Sequence, residues 1–289
     1  MRVDITYVNN AGASMQFGGM DASLHYFQHD LRSNVWEFKT SIAKNRISSF
    51  TRSIKEKKFP VGIMAKTADE AISKSNFLAQ LGEYDIATKR PGRLYVGDWY
   101  LSCWIVGVSF TNYWLSDNIA EAQLKLVCEA CEWIRENTRQ FSPTKAENLV
   151  LENGHDFPFD FNYDLAATQV LSDLDVAGVF DSSFLWRVYG PAINPYIRIG
   201  NNTYQVNVTV QEGQILEVDT MRKAVELIDS HGTRTSVFAE RQRGYQGSGT
   251  YLFEALKPGK LRLSYDNTFM FDIVVYELQS LPPFELEKV

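Results

Sequence analysis

The sequence predicts a mainly β protein in two parts, an N-terminal β domain that contains one α-helix and a C-terminal antiparallel β-sandwich. Short runs of alternating apolar and polar residues, separated by Gly, Asn, Asp or Pro, recur along most of the chain. One stretch has instead the spacing of an amphipathic helix. With 289 residues, of which 45% are hydrophobic and 13% aromatic, the chain can bury a large core.

Alternation predicts the strands of the first half, which lie on both sides of the helical stretch. They are expected at residues 2–8, 35–40, 62–66, 93–96, 100–108 and 123–128.

The helix is predicted over residues 68–81, in the stretch TADEAISKSNFLAQLGE that begins at Thr67. The residues that share one face at helical spacing are Ala68, Ala71, Ile72, Ser75, Leu78 and Leu81. Thr67 and Glu70 form a T-x-x-E capping box at the start of the helix. Gly82 follows the last turn, and we expect it to end the helix in the left-handed conformation.

The alternation stops between residues 137 and 164, and the domain boundary is placed there. Residues 1–140 are predicted to form the N-terminal β domain and residues 141–289 the C-terminal sandwich. Strands of the second domain are expected at residues 185–188, 196–199, 203–210, 214–218, 224–227, 251–256, 261–265 and 271–277. Gly200, Gly213, Gly232 and Gly259 mark tight turns between them, a spacing typical of an antiparallel sandwich.

Charge and patterning exclude several classes of protein. The 35 acidic residues outnumber the 29 basic ones and no long basic block is present, so nucleic acid is not expected as the main partner. Asp4 interrupts the apolar core that a secretory signal needs, and the longest apolar run, residues 101–110, is too short to span a membrane. We therefore expect a soluble protein made in a cytosol, with its three cysteines reduced.

Cys128 and Cys131 form a C-x-x-C motif, which occurs in zinc and redox sites. If LKLVCEACEW is a strand, the two cysteines lie roughly 10 Å apart on opposite faces, too far for a disulfide. Only Cys103 remains as a further thiol ligand, and no histidine is near in sequence. We expect buried free thiols, with a metal or redox role as the alternative.

The remaining polar residues do not form a recognisable catalytic pattern. His25 and His29 would share a helix face but lack the glutamate of H-E-x-x-H, and His155 and His231 are isolated. The aspartates of HDFPFDFNYD, which are Asp156, Asp160 and Asp164, lack the spacing of a calcium loop and fit an edge strand better. No G-x-S-x-G elbow is present. No catalytic residue, cofactor or metal is expected.

The order of several weak motifs is more informative than any of them alone. In the first domain the residues that carry it are Asn76, Asp85, Pro91, Gly92, Leu94, Gly97, Tyr100 and Cys103. In the second they are Gly190, Asn194, Pro195, Gly213, Leu216, Asp219, Gly232, Leu256, Pro258 and Gly259. In this order, along nearly the whole chain, the sequence resembles the distal tail proteins of siphophages and related prophages, the hubs of the tail tip or baseplate.

The resemblance implies a structural role. Proteins of this family have an N-terminal β domain with a single helix, whose copies close into a hexameric ring, and a C-terminal galectin-like sandwich that projects outward. The ring connects the tail tube protein to the tail-associated spike or lysin protein and lets DNA pass, and its outer domains hold receptor-binding proteins in many phages. The resemblance places this chain in the virion, at the phage tail tip. The matched residues have the character of architectural positions.

The main alternative is a carbohydrate-binding, lectin-like module, and an accessory β domain of a hydrolase is a further one. Galectins share an H-x-N-P-R stretch, whereas this chain has Ala192 and Tyr196 at the positions of the His and the Arg. Trp186 precedes this strand instead of following it. We therefore interpret Asn194 and Pro195 as a rigid corner, with Asn194 extended and Pro195 opening a strand.

Overall fold

The computed structural model describes residues 4–18, 23–41, 45–116, 118–143 and 169–282. The chain folds into two compact units. Unit 1 contains the described residues up to Arg135 and those from Leu278 onward, and unit 2 is Glu136–Glu277. The fold is mainly β, as predicted. No described helix is long and apolar enough to cross a membrane.

Unit 1 consists of antiparallel strands and two short helices. Its strands are β1 (Ile5–Val8), β2 (Ser14–Phe17), β3 (Leu24–Tyr26), β4 (Glu37–Ser41), β5 (Arg46–Thr51), β6 (Lys55–Met64), β7 (Gly92–Val96), β8 (Trp99–Ser116), β9 (Ile119–Cys128) and the first residues of β10 (Trp133–Phe141). Its helices are α1 (Ala68–Gln80) and α2 (Glu83–Thr88).

The long strand β8 belongs to two runs of paired strands. Its first half pairs with β7 and β10, and the order continues from β7 through β1 to β2. From Trp104 onward it pairs with β9, which pairs with β6 and then β3. Alternate side chains of these strands are buried in one core, as Ile5 and Tyr7 of β1 and Ala122, Leu124 and Leu126 of β9 show. The buried aromatic side chains of this core include Tyr7, Phe17, Phe59 and Trp99.

Helix α1 begins where the sequence predicts, but it ends differently. The Thr67 hydroxyl accepts a 3.2 Å hydrogen bond from the backbone N of Glu70, which confirms the N-terminal cap. Gly82 has φ −87° and is the N-cap of α2, so the predicted left-handed C-terminal residue is wrong. A Cβ at Gly82 would lie 2.5 Å from the Ile105 carbonyl oxygen, so close packing on β8 requires the glycine. Ile72, predicted on the buried face, is 46% exposed.

Unit 2 is a β-sandwich. Its strands are β11 (Gln169–Val176), β12 (Phe184–Tyr189), β13 (Ala192–Ile193), β14 (Tyr196–Ile199), β15 (Asn202–Gln205), β16 (Thr209–Val210), β17 (Ile215–Asp219), β18 (Ala224–Ile228), β19 (Arg234–Ser236), β20 (Gly259–Asp266) and β21 (Met270–Gln279). One sheet has the order β19-β18-β17-β12-β21 and the other β11-β20-β14-β15. Both sheets contribute to one core, in which Phe184, Trp186 and Phe271 are fully buried.

Residues 251–256 do not form the predicted strand. Their backbone turns, and only Leu256 makes an isolated bridge, to Ser182. Leu252 and Leu256 are nevertheless buried in the core of unit 2. These two leucines are apolar because a loop places them in the core. The sequence pattern does not distinguish such burial from burial in a strand.

The C-x-x-C motif does not lie within a strand, so the expectation of free thiols is wrong for two of the three cysteines. Strand β9 ends at Cys128, and Cys131 has φ +48° in the turn that follows. This turn brings the two Cα atoms to 5.2 Å, and the cysteines form a disulfide. Cys103 is free and buried, as expected.

Candidate functional site

Three motif residues of unit 1 lie together at one buried carboxylate: Asp85 itself, on α2, with Pro91 and Gly92. Asp85 is fully buried, and its Oδ2 accepts a 2.6 Å hydrogen bond from the Tyr7 hydroxyl. Its Oδ1 accepts hydrogen bonds from the backbone N of Asn10 at 2.7 Å and from Asn10 Nδ2 at 3.0 Å. These donors offset the cost of burying the carboxylate, since a buried polar group without partners is strongly destabilising. The carboxylate thus ties α2 to β1 and to the turn after β1.

Pro91 and Gly92 close this cluster from the side of β7. Asn10 Nδ2 also donates to the Pro91 carbonyl oxygen at 2.8 Å. A Cβ at Gly92 would lie 2.3 Å from Tyr7 Oη and 2.6 Å from Asp85 Oδ2. Only glycine allows β7 to pass the Tyr7–Asp85 hydrogen bond at this distance, which gives the P-G pair a physical reason.

Tyr7 and Cys103, beside this carboxylate, and Tyr100, elsewhere on β8, are also buried. Burial, together with the hydrogen bond to Asp85, raises the pKa of Tyr7. Burial, and secondarily the charge of Asp85, raises the pKa of the Cys103 thiol to about 12. Tyr100 is buried on β8, with the Arg93 guanidinium 4.3 Å from its ring centroid. Tyr7 and Cys103 stay protonated at neutral pH, so the cluster is structural and lacks an activated nucleophile.

Asn194 and Pro195 form the corner between β13 and β14. Asn194 has φ +48°, so the expectation that it is extended is wrong. Asn tolerates this left-handed conformation better than most residues, and its backbone N donates to the Val208 carbonyl oxygen at 2.9 Å. Pro195 directly precedes β14, a position where a strand does not need an N–H donor.

The remaining motif residues of unit 2 lie at turns. Gly213 has φ +78° and Gly259 φ +115°, conformations that favour glycine, and Pro258 precedes Gly259 at the start of β20. Asp219 ends β17, and its Oδ1 accepts hydrogen bonds from two backbone N–H groups of the following turn, both at 3.0 Å. These positions shape the connections between the strands of the sandwich.

The histidines of the described residues do not form a catalytic group. His25 lies in β3, and His29 packs its ring against Tyr26 and Phe59, at centroid distances of 5.4 and 5.7 Å. Burial, and then the charge of the neighbouring arginine, lowers the pKa of His29. The backbone N of His231 donates a hydrogen bond to the side chain of an aspartate in the same turn.

In the part of the chain that the structure describes, no group of three or more His, Cys, Asp and Glu side chains is arranged to hold a metal ion. His155, Asp156, Asp160 and Asp164 lie outside the described residues. Trp186 is fully buried, so its ring is not available to stack on a sugar near Asn194.

Unit 2 carries an ion network across neighbouring strands of one sheet. Glu217 on β17 accepts hydrogen bonds from Arg187 on β12, at 2.9 Å, and from Arg234 on β19, at 2.8 Å. Arg234 also binds Glu226 on β18 at 2.8 Å. Burial opposes ionisation of Glu217, but the hydrogen bonds from Arg234 and Arg187 outweigh it and lower the pKa of Glu217. The network joins four strands.

A pair of exposed aromatic side chains of unit 1 lies on the hairpin of β4 and β5, which we call the ribbon. Phe38 and Phe50 are both 61% exposed, and they face each other across the two strands. Ile47 lies opposite Thr40, on the same side of the ribbon. Every residue of β5 is exposed, so the ribbon has an apolar face that the described residues leave uncovered.

The two helices also expose apolar side chains, and we call their exposed faces together the helical surface. Ile72 and Phe77 on α1, and Tyr84 and Ile86 on α2, are between 39% and 49% exposed. The exposed acidic residues of this surface are Asp69 and Glu83, each in the first turn of its helix.

Sequence reasoning missed both surfaces. The two strands of the ribbon have the sequences EFKTS and RISSFT. Their alternation predicts strands but does not indicate whether other residues cover the apolar side. Strand β4 was expected at residues 35–40, but β5 was not predicted. The polar residues on both sides of Phe38, Ile47 and Phe50 were the available signal of an exposed strand.

The described structure thus combines unit 1, which has β-strands and a pair of helices, with unit 2, a β-sandwich. The buried polar groups described above stabilise the fold, and several apolar side chains of unit 1 are exposed. Solved structures of phage tail-tip hubs and baseplates share this fold. The chain is similar to the SPP1 Dit protein, described as a hub of the adsorption apparatus in phages that infect Gram-positive bacteria, with a TM-score of 0.54 and 11% identity. The match covers 96% of this chain and 100% of the other.

A second pair of matches agrees with the first. The chain is similar to a chain of the phage P2 baseplate in its activated conformation, solved with Ca and with Sr, with a TM-score of 0.60 and 10% identity in each case. Both matches cover 98% of this chain and 100% of the other. No protein-family profile and no curated protein matches the chain. At this level of identity the likeness establishes the fold of a phage hub protein.

Proposed function

We propose that this chain is a distal tail protein, a structural component of a siphophage or prophage tail tip without enzymatic activity. The observation that carries the proposal is the extent of the match, because both units align over nearly the whole of this chain and all of each hub or baseplate chain. A shared single domain would say little about function, since common folds serve many roles. A shared pairing of two units is more specific.

In this proposal, copies of unit 1 close into a hexameric ring that continues the tail tube protein on one side and holds the tail-associated spike or lysin protein on the other. DNA passes through the ring, and unit 2 projects outward, where it is available to a receptor-binding protein. The protein is made in the host cytoplasm and becomes part of the virion. A closed ring uses heterologous interfaces, so each copy needs two different mating surfaces. The exposed ribbon and helical surface of unit 1 support this requirement.

Size measurement of the purified protein tests the proposal. We expect multi-angle light scattering to give a multiple of the 33.0 kDa chain and negative-stain microscopy to show rings with a central channel. Assembly depends on concentration, so the measurement is made over a dilution series. A protein that is monomeric throughout the series and binds sugars on a glycan array would overturn the proposal in favour of a lectin.

A further inference from the structure

Unit 2 contains a cavity of about 300 Å³ at the end of β14 that is remote from Asn194. The turn between β14 and β15 and the loop of residues 247–257 provide most of its lining. All of its described lining residues belong to unit 2. Its volume lies at the lower end of the range for small-molecule pockets, so it suits one small ligand.

Hydrogen bonds hold the walls of this cavity in place. The Thr203 backbone N donates to the Gly249 carbonyl oxygen at 2.8 Å. The Tyr204 hydroxyl donates to the Glu254 carbonyl oxygen at 3.0 Å. Within the loop, the Gly247 backbone N donates to Glu254 Oε2 at 2.9 Å. These bonds join the loop to itself and to β15, so the cavity is preformed, as ligand pockets usually are.

Asn202, a lining residue at the start of β15, has one polar atom without a partner. Asn202 is only 7% exposed, and its Nδ2 donates to the Tyr251 carbonyl oxygen at 2.9 Å. This bond fixes the orientation of the amide, because a carbonyl oxygen accepts a hydrogen bond only from the amide nitrogen. The amide oxygen Oδ1 is buried, and no described residue donates to it. Most buried polar groups have a partner, so this acceptor needs a donor from outside the chain.

The lining favours a neutral ligand that carries hydroxyl donors. Glu254 and Lys257 are the only charged residues among the described residues that line the cavity, and their charges balance. Glu254 uses only Oε2 in hydrogen bonds with the described residues, so its Oε1 is a second acceptor without a donor. The apolar residues of the lining include Ile199, Leu256 and Leu261. Acceptors beside apolar side chains match the hydroxyl groups and the C–H faces of a sugar.

We propose that this cavity binds one neutral sugar unit, whose hydroxyl groups donate to Asn202 Oδ1 and Glu254 Oε1 while its ring carbons contact the apolar lining. The site is distinct from the corner at Asn194, which lies at the opposite end of β14. It goes beyond the proposed function, because a tail-tip hub does not need a ligand in order to assemble. The sugar site adds a binding role to a structural protein.

Ligand-detected NMR on the purified full chain tests the proposal. The probes are the methyl glycosides of glucose, galactose, mannose and N-acetylglucosamine, each added singly, and saturation-transfer difference spectra report their binding. We expect at least one glycoside to bind with a Kd of about 1 mM, as the small size of the ligand allows. Spectra without transfer to any of the four probes would show that water alone completes Asn202, and would overturn the proposal.

A blocking substitution locates the bound glycoside. Ala255 lines the cavity, and Ala255→Trp places an indole ring in its wall without removing a hydrogen bond described above. We expect this variant to bind at least about tenfold more weakly, because the ring excludes the ligand. Ala239→Trp, at an exposed position outside the lining, is the matched control and keeps the wild-type Kd. A folded Ala255→Trp protein, as judged by circular dichroism, that binds like the wild type would overturn the proposal.

Two further variants test the acceptors. We expect Asn202→Ala to weaken glycoside binding about tenfold, through loss of one hydrogen bond. Glu254→Gln keeps an acceptor oxygen and removes only the charge, so we expect the Kd of a neutral glycoside to change less than about threefold.

A cation is the competing ligand, because Asp181 forms an ion pair with Lys257 at 3.5 Å and leaves the charge of Glu254 for a ligand. The comparison probe is n-butylammonium, which we expect not to bind. Binding of n-butylammonium in preference to every glycoside, with loss of that binding in Glu254→Gln, would overturn the assignment of a neutral sugar.

Light scattering on the same samples keeps this inference separate from the proposed function. Rings that bind none of the glycosides count against the sugar site alone. A protein that binds a glycoside but is monomeric at every concentration supports the sugar site and counts against the proposed function.

Discussion

Gly92 is the residue whose role the structure changes most. In the sequence it belongs to a P-G pair before a strand, which is a common combination. In the structure it is the point where β7 passes the buried hydrogen bond between Tyr7 and Asp85. Tyr7 lies far from Asp85 and Gly92 in sequence, yet each of the three residues restricts what the others can be. Their combination explains why the stretch around residues 85–103 has an ordered set of motif residues.

We predict that Gly92→Ala destabilises the protein by about 2–4 kcal/mol, because the new Cβ lies too close to Tyr7 and Asp85 and forces apart a buried hydrogen bond. Urea unfolding measures the change. Gly107→Ala is the control, since the nearest atom to its Cβ would be Lys125 Cβ at 3.7 Å, an ordinary contact. Equal unfolding free energies for the two variants would contradict this account of Gly92.

Glu217 gives a prediction for pH dependence. Its pKa is lowered in the folded protein, so it contributes stability that is fully present above the unfolded pKa of glutamate and is lost as pH falls through the folded value. We expect Glu217→Gln to cost about 1–3 kcal/mol at neutral pH, through weaker hydrogen bonds to Arg187 and Arg234. The cost should shrink as the pH falls below about 4.3, the ordinary pKa of glutamate.

Urea unfolding of unit 2 at a series of pH values measures this loss. Glu212→Gln, which changes an exposed carboxylate in a turn, is the matched control. A cost of Glu217→Gln that is the same at pH 3 and pH 7 would show that the network does not depend on the charge of Glu217.

Among the elements, helix α1 and most strands could be predicted because their signals are local. The capping box of Thr67 and the alternation of β12 and β14 specify them within a few residues. The turn between Cys128 and Cys131 could not be predicted, because the alternation continues to Cys128 and the left-handed Cys131 has no glycine to signal it. Asn194 was misread for a related reason, since a residue before proline is usually extended.

The disulfide can be tested by counting thiols. We expect iodoacetamide to modify one cysteine, Cys103, in protein that is purified in air and denatured without reductant, and all three cysteines after reduction. Mass spectrometry gives the count. In Cys128→Ser we expect two modified cysteines without reduction, because Cys131 has lost its partner. Three modified cysteines in the unreduced wild type would contradict the disulfide.

For the whole molecule, the sequence predicted a mainly β fold and a resemblance to phage hub proteins, and the structural matches agree with both. The candidate site was harder to predict. The residues that carry the family resemblance lie in turns and buried contacts. Phe38, Phe50 and the apolar residues on the outside of the helices are instead distinguished by their exposure to solvent. Exposure depends on what the rest of the chain covers, which a local pattern does not record.

The charge of the molecule leads to a prediction about DNA. The net charge is −6, and phosphate binding requires clustered basic residues. We expect the assembled protein not to retain double-stranded DNA in a gel-shift assay at about 0.15 M salt, as the proposed passage of DNA through the ring requires. Wild-type protein at low salt is the comparison. Tight binding that weakens steeply with salt would mean that the assembly holds DNA instead of letting it pass.

The path of the chain between its two units has a consequence for the history of the protein. The chain leaves unit 1 after Arg135 and returns at Leu278, and the returning residues bind there: Arg32 donates to the Pro282 carbonyl oxygen and Arg52 to the Ser280 hydroxyl. Unit 2 is therefore an insertion, enclosed at both ends by unit 1. Such a segment can be exchanged by recombination as a cassette while both termini of its host domain stay in place. A lineage could thus acquire a new inserted module without redesigning the domain that carries it.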